Sequence, residues 1–303
     1  MLQLLTIVGA LLLGYSIRRL PVPVKVLNQT LFAIVVLILF VMGYELASSE
    51  GNLLGQLAKI SKIVGVFVSL LFISNLLAAN LVFRKLNRSM QLSNQELHHA
   101  NYWQFIKESG KYIVIIAFGM ILGASLKHPL TGLSQIISLL LFILLFVIGH
   151  QMRANGIALR SLLMNKHGVL LAKTVILSSL LAGGIASLIL GIPLNHGLML
   201  SSGFGWYTLA SILNGRLLGQ DMGTISFFID FCRELFAIIL IPSLGRLYPA
   251  SLVGYCGGTA MDFSLPVIKE NLHENCILLA ISSGMILSIA VPVLISLFAK
   301  IAI

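Results

Sequence analysis

The stretch LVGYCGGTAMDFSLPVIKE, residues 252–270, decides how the last third of this chain folds. Its flanks are apolar, but Gly257 and Gly258 interrupt it, Asp262 stands in its middle, and Pro266 follows four residues later. A carboxylate and a backbone break are both costly in lipid, so neither is expected in a continuous transmembrane helix. The pattern therefore predicts a broken or re-entrant helix, and it raises the question of why an acid stands there.

The composition of the chain places this stretch in a membrane. Of 303 residues, 58% are hydrophobic and only 10% are charged, whereas a soluble domain has about a quarter charged residues. Apolar runs of about 20 residues, enough to cross a hydrocarbon core of about 30 Å, recur along nearly the whole length. The fold class predicted is an all-α polytopic membrane protein with one transmembrane domain over residues 1–303.

Eight segments are predicted to span the membrane because of their length and apolarity. They are residues 2–17, 27–46, 60–83, 112–126, 133–150, 169–191, 224–245 and 275–298. The first segment meets two arginines instead of a small-residue cleavage site, so it is interpreted as a span and not as a signal peptide. SSGFGWYTLASILNGRLLG (201–219) is apolar but rich in glycine, and is predicted, like 252–266, to be broken or re-entrant.

The net charge of +10 comes from cations in short loops between the apolar runs. They form no basic stripe with interleaved aromatic residues, so they indicate topology and no nucleic-acid partner. With the N-terminus outside, fourteen of them face the cytoplasm and five face outside, which by the positive-inside rule predicts both termini outside. The cytoplasmic set is Arg18, Arg19, Lys25, Arg84, Lys85, Arg88, Lys107, Lys111, Arg153, Arg160, Lys166, Lys173, Arg246 and Lys269, and the external set is Lys59, Lys62, Lys127, Arg216 and Lys300.

Two parts of the chain resemble each other. LLGYSIRRLP (12–21) resembles ILGASLKHP (121–129), and LNQTLFAIVVLILFVMGYEL (27–46) resembles LSQIISLLLFILLFVIGHQM (133–152). Each unit contains three spans, so the second unit is inverted in the membrane, an arrangement typical of secondary transporters. The predicted parts are repeat 1 at about 1–83, a cytoplasmic loop at 84–111 in which His98 and His99 are solvated, repeat 2 at about 112–192, and a substrate-site region with broken helices at about 193–303.

Three charged residues lie within one predicted span, TISFFIDFCRELFAIILIP (224–242): Asp230, Arg233 and Glu234. Asp230 and Glu234 are four residues apart on one helical face, and Arg233 is close enough to Asp230 to pair with it. A charge at the bilayer centre costs about 2.5 to 3.5 kcal/mol, so such residues usually face a cavity or a partner. In the structural alternative, Arg233 clamps one acid and Asp262 caps a broken helix. One arginine cannot neutralise three carboxylates, however, which favours a binding role for Glu234 and Asp262.

The glycine-rich breaks supply polar groups of both signs. Backbone N–H and C=O groups around Gly257, Gly258 and Thr259, and around 201–205, cannot be satisfied by lipid and must lie inside protein or beside water. Freed N–H groups suit a substrate carboxylate, and nearby acids suit an ammonium. The pattern therefore favours a zwitterion with one extra positive charge. The cysteines Cys232, Cys256 and Cys276 have no metal-type spacing, and neither a metal nor a cofactor is predicted.

Four motifs in the last third resemble one known family. They are GFGWYTLAS (203–211), FFIDFCRELFAIILIP (227–242), CGGTAMDFSLPV (256–267) and LSIAVPVLI (287–295). In order and spacing they are similar to the LysO-type lysine exporters of the bacterial inner membrane. The chain departs from that pattern at residues 208–211, at Ile229, at Ala260 and at Ser282-Ser283, which puts fine substrate preference and any histidine relay in doubt.

The resemblance implies a secondary exporter, and not an enzyme, that moves L-lysine and its analogue thialysine out of the cytoplasm in exchange for protons. Carried over by motif, the acids of the site are Glu234 and Asp262. The rest of the predicted substrate- and proton-binding set is Asp230, Arg233, Gly257, Gly258, Thr259, Gly205, Trp206 and Tyr207. Besides lysine and protons, the expected partner is membrane lipid, and the sequence leaves open whether the protein is a homo-oligomer.

Two other functions remain open on the residues alone. A sodium-coupled importer of an amino acid or organic ion also uses carboxylates beside broken helices, and sodium-driven uptake against pH-driven efflux separates the two. An intramembrane aspartyl protease also needs two acids on neighbouring spans, but its Gly-x-Gly-Asp signature is absent, because Ala260-Met261 precedes Asp262.

Overall fold

The computed structural model describes residues 9–10, 12–17, 23–48, 53–91, 102–126, 133–154, 165–245, 247–273 and 275–301. Every regular element in these residues is a helix, which confirms the all-α prediction for the described part of the chain. Short 3-10 segments lie at Ser201–Gly203 and Gly257–Met261. The α-helices are α1 (Val24–Ser48), α2 (Leu53–Gln91), α3 (Tyr102–Leu126), α4 (Leu133–Ala154), α5 (Lys166–Leu190), α6 (Leu194–Leu200), α7 (Tyr207–Leu218), α8 (Gln220–Leu244), α9 (Pro249–Cys256), α10 (Leu265–Asn271) and α11 (Asn275–Phe298).

Seven of the eight predicted runs lie within or closely match helices of the structure, and most of these helices begin before the run; residues 2–8 and 11 of the first run, 2–17, lie outside the described residues. By length and composition, three described segments can cross a membrane: Ala58–Arg88, Lys166–Leu190 and Asn275–Phe298. The predicted loop 84–111 is largely helical, since α2 runs to Gln91 and α3 begins at Tyr102. Hydropathy detects only the apolar part of a helix, and polar turns at its ends go unnoticed. The histidines predicted in this loop, His98 and His99, lie outside the described residues.

Glycines let α1 and α3 pack backbone against backbone. A side chain at Gly119 would overlap the carbonyl of Phe40, and one at Gly123 would overlap the carbonyl of Tyr44. Both positions advance by four residues, so the two helices run in the same direction. The helical residues 12–16 pack in a similar way on α4, where Gly14 meets the backbone of Phe146. Small residues allow such close contacts between membrane helices, where packing and not water exclusion drives association.

A second group of helices packs around α2 and α5. Ser179 of α5 donates a hydrogen bond to the amide oxygen of Asn75 in α2 (3.1 Å), with both side chains buried. Asn87, near the end of α2, accepts a hydrogen bond from the backbone N–H of Ala250 in the first turn of α9 (2.9 Å). The beginning of α5 also packs on α9, at Gly254. These contacts leave α9 held between α2 and α5.

The last third forms two helical hairpins that enter from opposite ends of the bundle. The α6 helix runs back along the end of α5, where Gly183 meets Ser201, and α7 then returns alongside the first half of α8, where Asn214 donates to Ser226 (2.9 Å). The α9–α10 hairpin starts where α8 ends, and Leu272, just after α10, lies against Gly245, just after α8. Each broken stretch therefore turns back to the end it came from.

Candidate functional site

The tips of the two hairpins meet. The backbone N–H of Gly258 donates a 2.7 Å hydrogen bond to the carbonyl oxygen of Phe204. Three residues at the tips have positive φ: Phe204 at 47°, Gly205 at 89° and Gly257 at 69°. Glycine adopts this conformation freely, and it also leaves room here, because a side chain at Gly257 would overlap the Phe204 carbonyl. The glycines predicted as breaks are thus the points of closest approach between the hairpins.

Three charged side chains of α8 are buried beside these tips. The exposed fraction is 1% for Asp230, 1% for Arg233 and 0% for Glu234. Asp230 accepts a 2.8 Å hydrogen bond on Oδ1 from the backbone N–H of Gly205. That N–H lies just before the first residue of α7, where the helix dipole is positive and a carboxylate is stabilised. Asp230 therefore holds the tip of the α6–α7 hairpin.

Arg233 makes the opposite contact with the other hairpin. Its Nε donates a 2.6 Å hydrogen bond to the carbonyl oxygen of Tyr255, in the last turn of α9. The guanidinium also lies over the Tyr255 ring, 5.4 Å from the centroid. The C-terminal end of a helix is the negative end of its dipole, where a cation is stabilised.

The spacing of Asp230 and Arg233 predicted an ion pair between them. The hydrogen bonds of the two side chains, however, go to different hairpins. One turn of α8 thus places a carboxylate against an N–H group and a guanidinium against a C=O group. Glu234, the next residue along, is buried at the same level of the helix.

Hydroxyl groups line the tip of the second hairpin. Thr259 donates to the carbonyl of Cys256 (2.9 Å), and its hydroxyl lies 3.2 Å from that of Ser264. The Ser288 hydroxyl of α11 lies 3.1 Å from the position that a side chain at Gly258 would take. α8 thus contributes a charged group to each tip, and α11 adds the uncharged hydroxyl of Ser288 to the second.

Asp262 stands apart from the buried charges. Its side chain is exposed, and its Oδ1 accepts a 2.6 Å hydrogen bond from the N–H of Phe263. It directly follows the 3-10 segment that ends at Met261, and α10 begins three residues later. Pro266 lies in the first turn of α10, so it starts the returning half-helix and neither ends nor kinks one. The hairpin brings Asp262 to the edge of the break, where it is exposed while Glu234 is buried.

The two aromatic residues predicted for the site have different surroundings. Trp206 is half-buried immediately before α7. Tyr207 is buried and packs edge-on against Phe227 (5.4 Å between centroids) and Phe231 (5.7 Å). These rings form a cluster that also includes Leu39 of α1 and Ile116 of α3. Tyr207 thus connects the α6–α7 hairpin to α1 and α3.

Several residues of the tips are absent from the predicted set. Phe204 supplies the carbonyl that joins the hairpins, and its only signal in the sequence is its position between Gly203 and Gly205. Ser264 and Ser288 are common residue types in membrane helices and carry no such signal. In the described part of the chain no three histidine, cysteine or acidic side chains are grouped to hold a metal ion.

Some buried polar atoms at the site make no hydrogen bond within the described residues. They are Oδ2 of Asp230, Nη1 and Nη2 of Arg233, and the hydroxyl of Tyr255. Buried polar groups are nearly always hydrogen-bonded, so a concentration of exceptions requires an explanation. Both donors and acceptors are present among them.

Comparison with known proteins places these features in one family. A sequence profile described as lysine exporter LysO matches residues 113–299. The chain is 36% identical over 296 residues to "Lysine exporter LysO" of Escherichia coli (strain K12), covering 97% of this chain and 98% of the relative. It is 38% identical over 160 residues to a "Putative lysine exporter" of Haemophilus influenzae, covering 53% of this chain and 82% of the relative. No solved structure matches significantly.

Proposed function

Since this chain belongs to the LysO lysine exporter family, we propose that it exports L-lysine, and the analogue thialysine, across the bacterial inner membrane in exchange for protons. The observation that carries the proposal is the set of buried charges on α8 where two glycine-rich hairpin tips meet. Lysine has two ammonium groups and one carboxylate, and the tips offer carboxylates, a guanidinium and backbone polar groups.

In this proposal the hairpins are re-entrant and eight helices cross the membrane completely. The α6–α7 hairpin enters from the outside and the α9–α10 hairpin from the cytoplasm, so both termini lie outside. Arg216 at the end of α7 is then external, and Lys269 in α10 is cytoplasmic, which are the sides assigned to them in the count of fourteen cytoplasmic and five external cations. The contact between the tips falls near the bilayer midplane, where secondary transporters bind their substrates.

The proposed inverted repeat gives the two hairpins equivalent environments. The contact of α1 with α3 has a counterpart in the contact of residues 12–17 with α4, as exchange of the repeat units requires. Likewise α6 packs on the outer end of α5, and α9 packs on the cytoplasmic end of α2. Such pseudo-symmetry supports alternating access, because each hairpin covers the site from one side.

Proton exchange follows from competition for the same carboxylates. In the ionised state, Glu234 and Asp262 bind the ammonium groups of lysine, and protonation from the external side releases them. One carboxylate cannot hold a proton and an ammonium at the same time, so the two cations are carried alternately. Asp262 is exposed and Glu234 is buried, so in this scheme Asp262 meets water first. Export of one positive charge against an inside-negative potential costs about 2.3 kcal/mol per 100 mV, which inward protons can supply.

The test uses proteoliposomes loaded with labelled L-lysine, with the proton and sodium gradients imposed separately. Lysine efflux is expected to respond to the proton gradient and to be lost in Glu234→Gln and in Asp262→Asn. The matched control is Asp221→Asn, an exposed acid in the first turn of α8, which should transport normally. Normal exchange in Asp262→Asn would refute the assignment of that residue. Sodium-driven uptake would instead favour the importer.

A further inference from the structure

The guanidinium of Arg233 has more hydrogen-bonding capacity than the described protein uses. Arginine has five N–H donors. The Nε donor binds the Tyr255 carbonyl, while Nη1 and Nη2, with the remaining four, are buried and make no hydrogen bond in the described part of the chain. A structural role in holding α9 explains the hydrogen bond of Nε. It does not explain why Nη1 and Nη2 are buried without a partner in the described part of the chain. A buried charged group that keeps donors unused is strongly unfavourable unless another partner binds them.

These nitrogens lie at the junction of the two hairpins. A side chain at Gly257 would lie 3.3 Å from Nη2 and would also overlap the Phe204 carbonyl, so both hairpin tips lie beside this end of the guanidinium. Gly257 is also the residue with positive φ at the hairpin tip, next to the Gly258–Phe204 contact. The unused donors therefore lie where the two hairpins meet. A movement of either hairpin would separate the tips at this point.

The charge of the site also assigns a role to Arg233. Among the residues whose side chains are described, it is the only buried arginine or lysine. On α8 it stands between two buried acids, Asp230 and Glu234, and these three buried charges sum to minus one. A substrate with two ammonium groups and one carboxylate has a net charge of plus one, and its carboxylate is the group that suits a cationic partner. Guanidinium binds carboxylate through two parallel hydrogen bonds, a geometry that an ammonium cannot provide.

We propose that Nη1 and Nη2 of Arg233 bind the α-carboxylate of the transported amino acid, so that Arg233 selects amino acids over diamines of the same length. The inference rests on the proposed function, because it names the substrate group that this site binds. The Nε bond to Tyr255 fixes the orientation of the guanidinium, and the acids take the ammonium groups. A diamine satisfies the acids but leaves the guanidinium without a partner, and it is rejected for that reason.

The experiment compares L-lysine with 1,5-diaminopentane, which is lysine without its carboxylate. Uptake of labelled lysine into proteoliposomes loaded with unlabelled lysine is measured while either compound is added outside. In the unaltered protein, lysine should compete at a concentration lower by about tenfold or more, since a bidentate charge-assisted pair is lost with the diamine. Equal competition by the two compounds would overturn the inference while leaving lysine transport intact.

Variants then identify the residue. In Arg233→Gln the preference for lysine over the diamine should fall close to one, and exchange of labelled diamine by this variant would show that it is folded. Arg233→Lys, which keeps the charge but not the two-pronged geometry, should give an intermediate preference and serves if the glutamine variant does not fold. Arg216→Gln, an exposed arginine of α7, is the matched control. An unchanged preference in Arg233→Gln or Arg233→Lys would overturn the inference, and a complete absence of lysine exchange in the unaltered protein would overturn the proposed function with it.

Discussion

At the scale of single residues, the site depends on glycines at positions where a residue with a side chain would not fit. Gly203 faces the carboxylate of Asp230 so closely that a methyl group there would overlap Oδ2. The carboxylate cannot move away without losing the hydrogen bond from Gly205 that holds the hairpin tip. Gly205 itself has a φ of 89°, which side-chain-bearing residues rarely adopt.

The substitution Gly203→Ala tests this packing. The added methyl group should displace either the tip or Asp230, and lysine efflux from proteoliposomes should fall about tenfold or more, as overpacking in a tight core costs about 1 to 3 kcal/mol. The control is Gly65→Ala in α2, since nothing lies within 4 Å of the added atom there. Full activity of Gly203→Ala would mean that the tip is looser than these contacts indicate.

At the scale of elements, a short helix such as α9 needs help from its neighbours. It has eight residues and begins with Pro249, and isolated helices of this length are unstable. Asn87 of α2 accepts a hydrogen bond from the N–H of Ala250 and donates one to the hydroxyl of Ser251 (3.1 Å). An amide from another helix thus satisfies a backbone group that the first turn of α9 leaves unpaired.

Removal of this cap should loosen the second hairpin. Asn87→Ala leaves the buried N–H of Ala250 without an acceptor, and loss of a cap of this kind costs about 1 to 2 kcal/mol. A lower unfolding temperature in detergent is expected, together with faster hydrogen exchange confined to residues 249–256. The neighbouring Arg88→Ala, at an exposed position, should change neither measurement. Equal exchange in both variants would show that α9 is held mainly by apolar packing.

At the scale of the whole molecule, the direction of each hairpin determines the topology. If both are re-entrant, the end of α7 lies outside and the segment after α8 lies in the cytoplasm. If both crossed the membrane instead, these two locations would be exchanged, although the termini would stay on the same side. The positive-inside rule cannot distinguish the alternatives, because Arg216 and Arg246 exchange sides and the totals remain the same.

Cysteine labelling in intact cells distinguishes them. Arg216→Cys and Leu247→Cys replace exposed residues and are made in a variant without Cys232, Cys256 and Cys276. A membrane-impermeant reagent should label position 216 from outside and leave position 247 unlabelled until the cells are opened. The reverse pattern would show that the broken helices cross the membrane.

Local properties of the sequence were enough to predict much of this protein. Long apolar runs predict membrane helices, glycine pairs predict the breaks, and charges within an apolar run predict a site. Each of these signals lies within about 20 consecutive residues. The helical class and the family are confirmed, and the boundaries of α11, predicted at 275–298, agree with the structure.

Contacts between distant residues were decided only by the tertiary structure. The bond between Phe204 and Gly258, the attachment of Asp230 to one hairpin and Arg233 to the other, and the separation of exposed Asp262 from buried Glu234 all join or divide residues more than twenty positions apart. The i,i+3 spacing of Asp230 and Arg233 predicts only that their charges interact. The backbone groups that these two side chains bind depend on the position of the two hairpin tips. That position results from packing against α2, α5 and α11, and a local sequence pattern does not predict such packing.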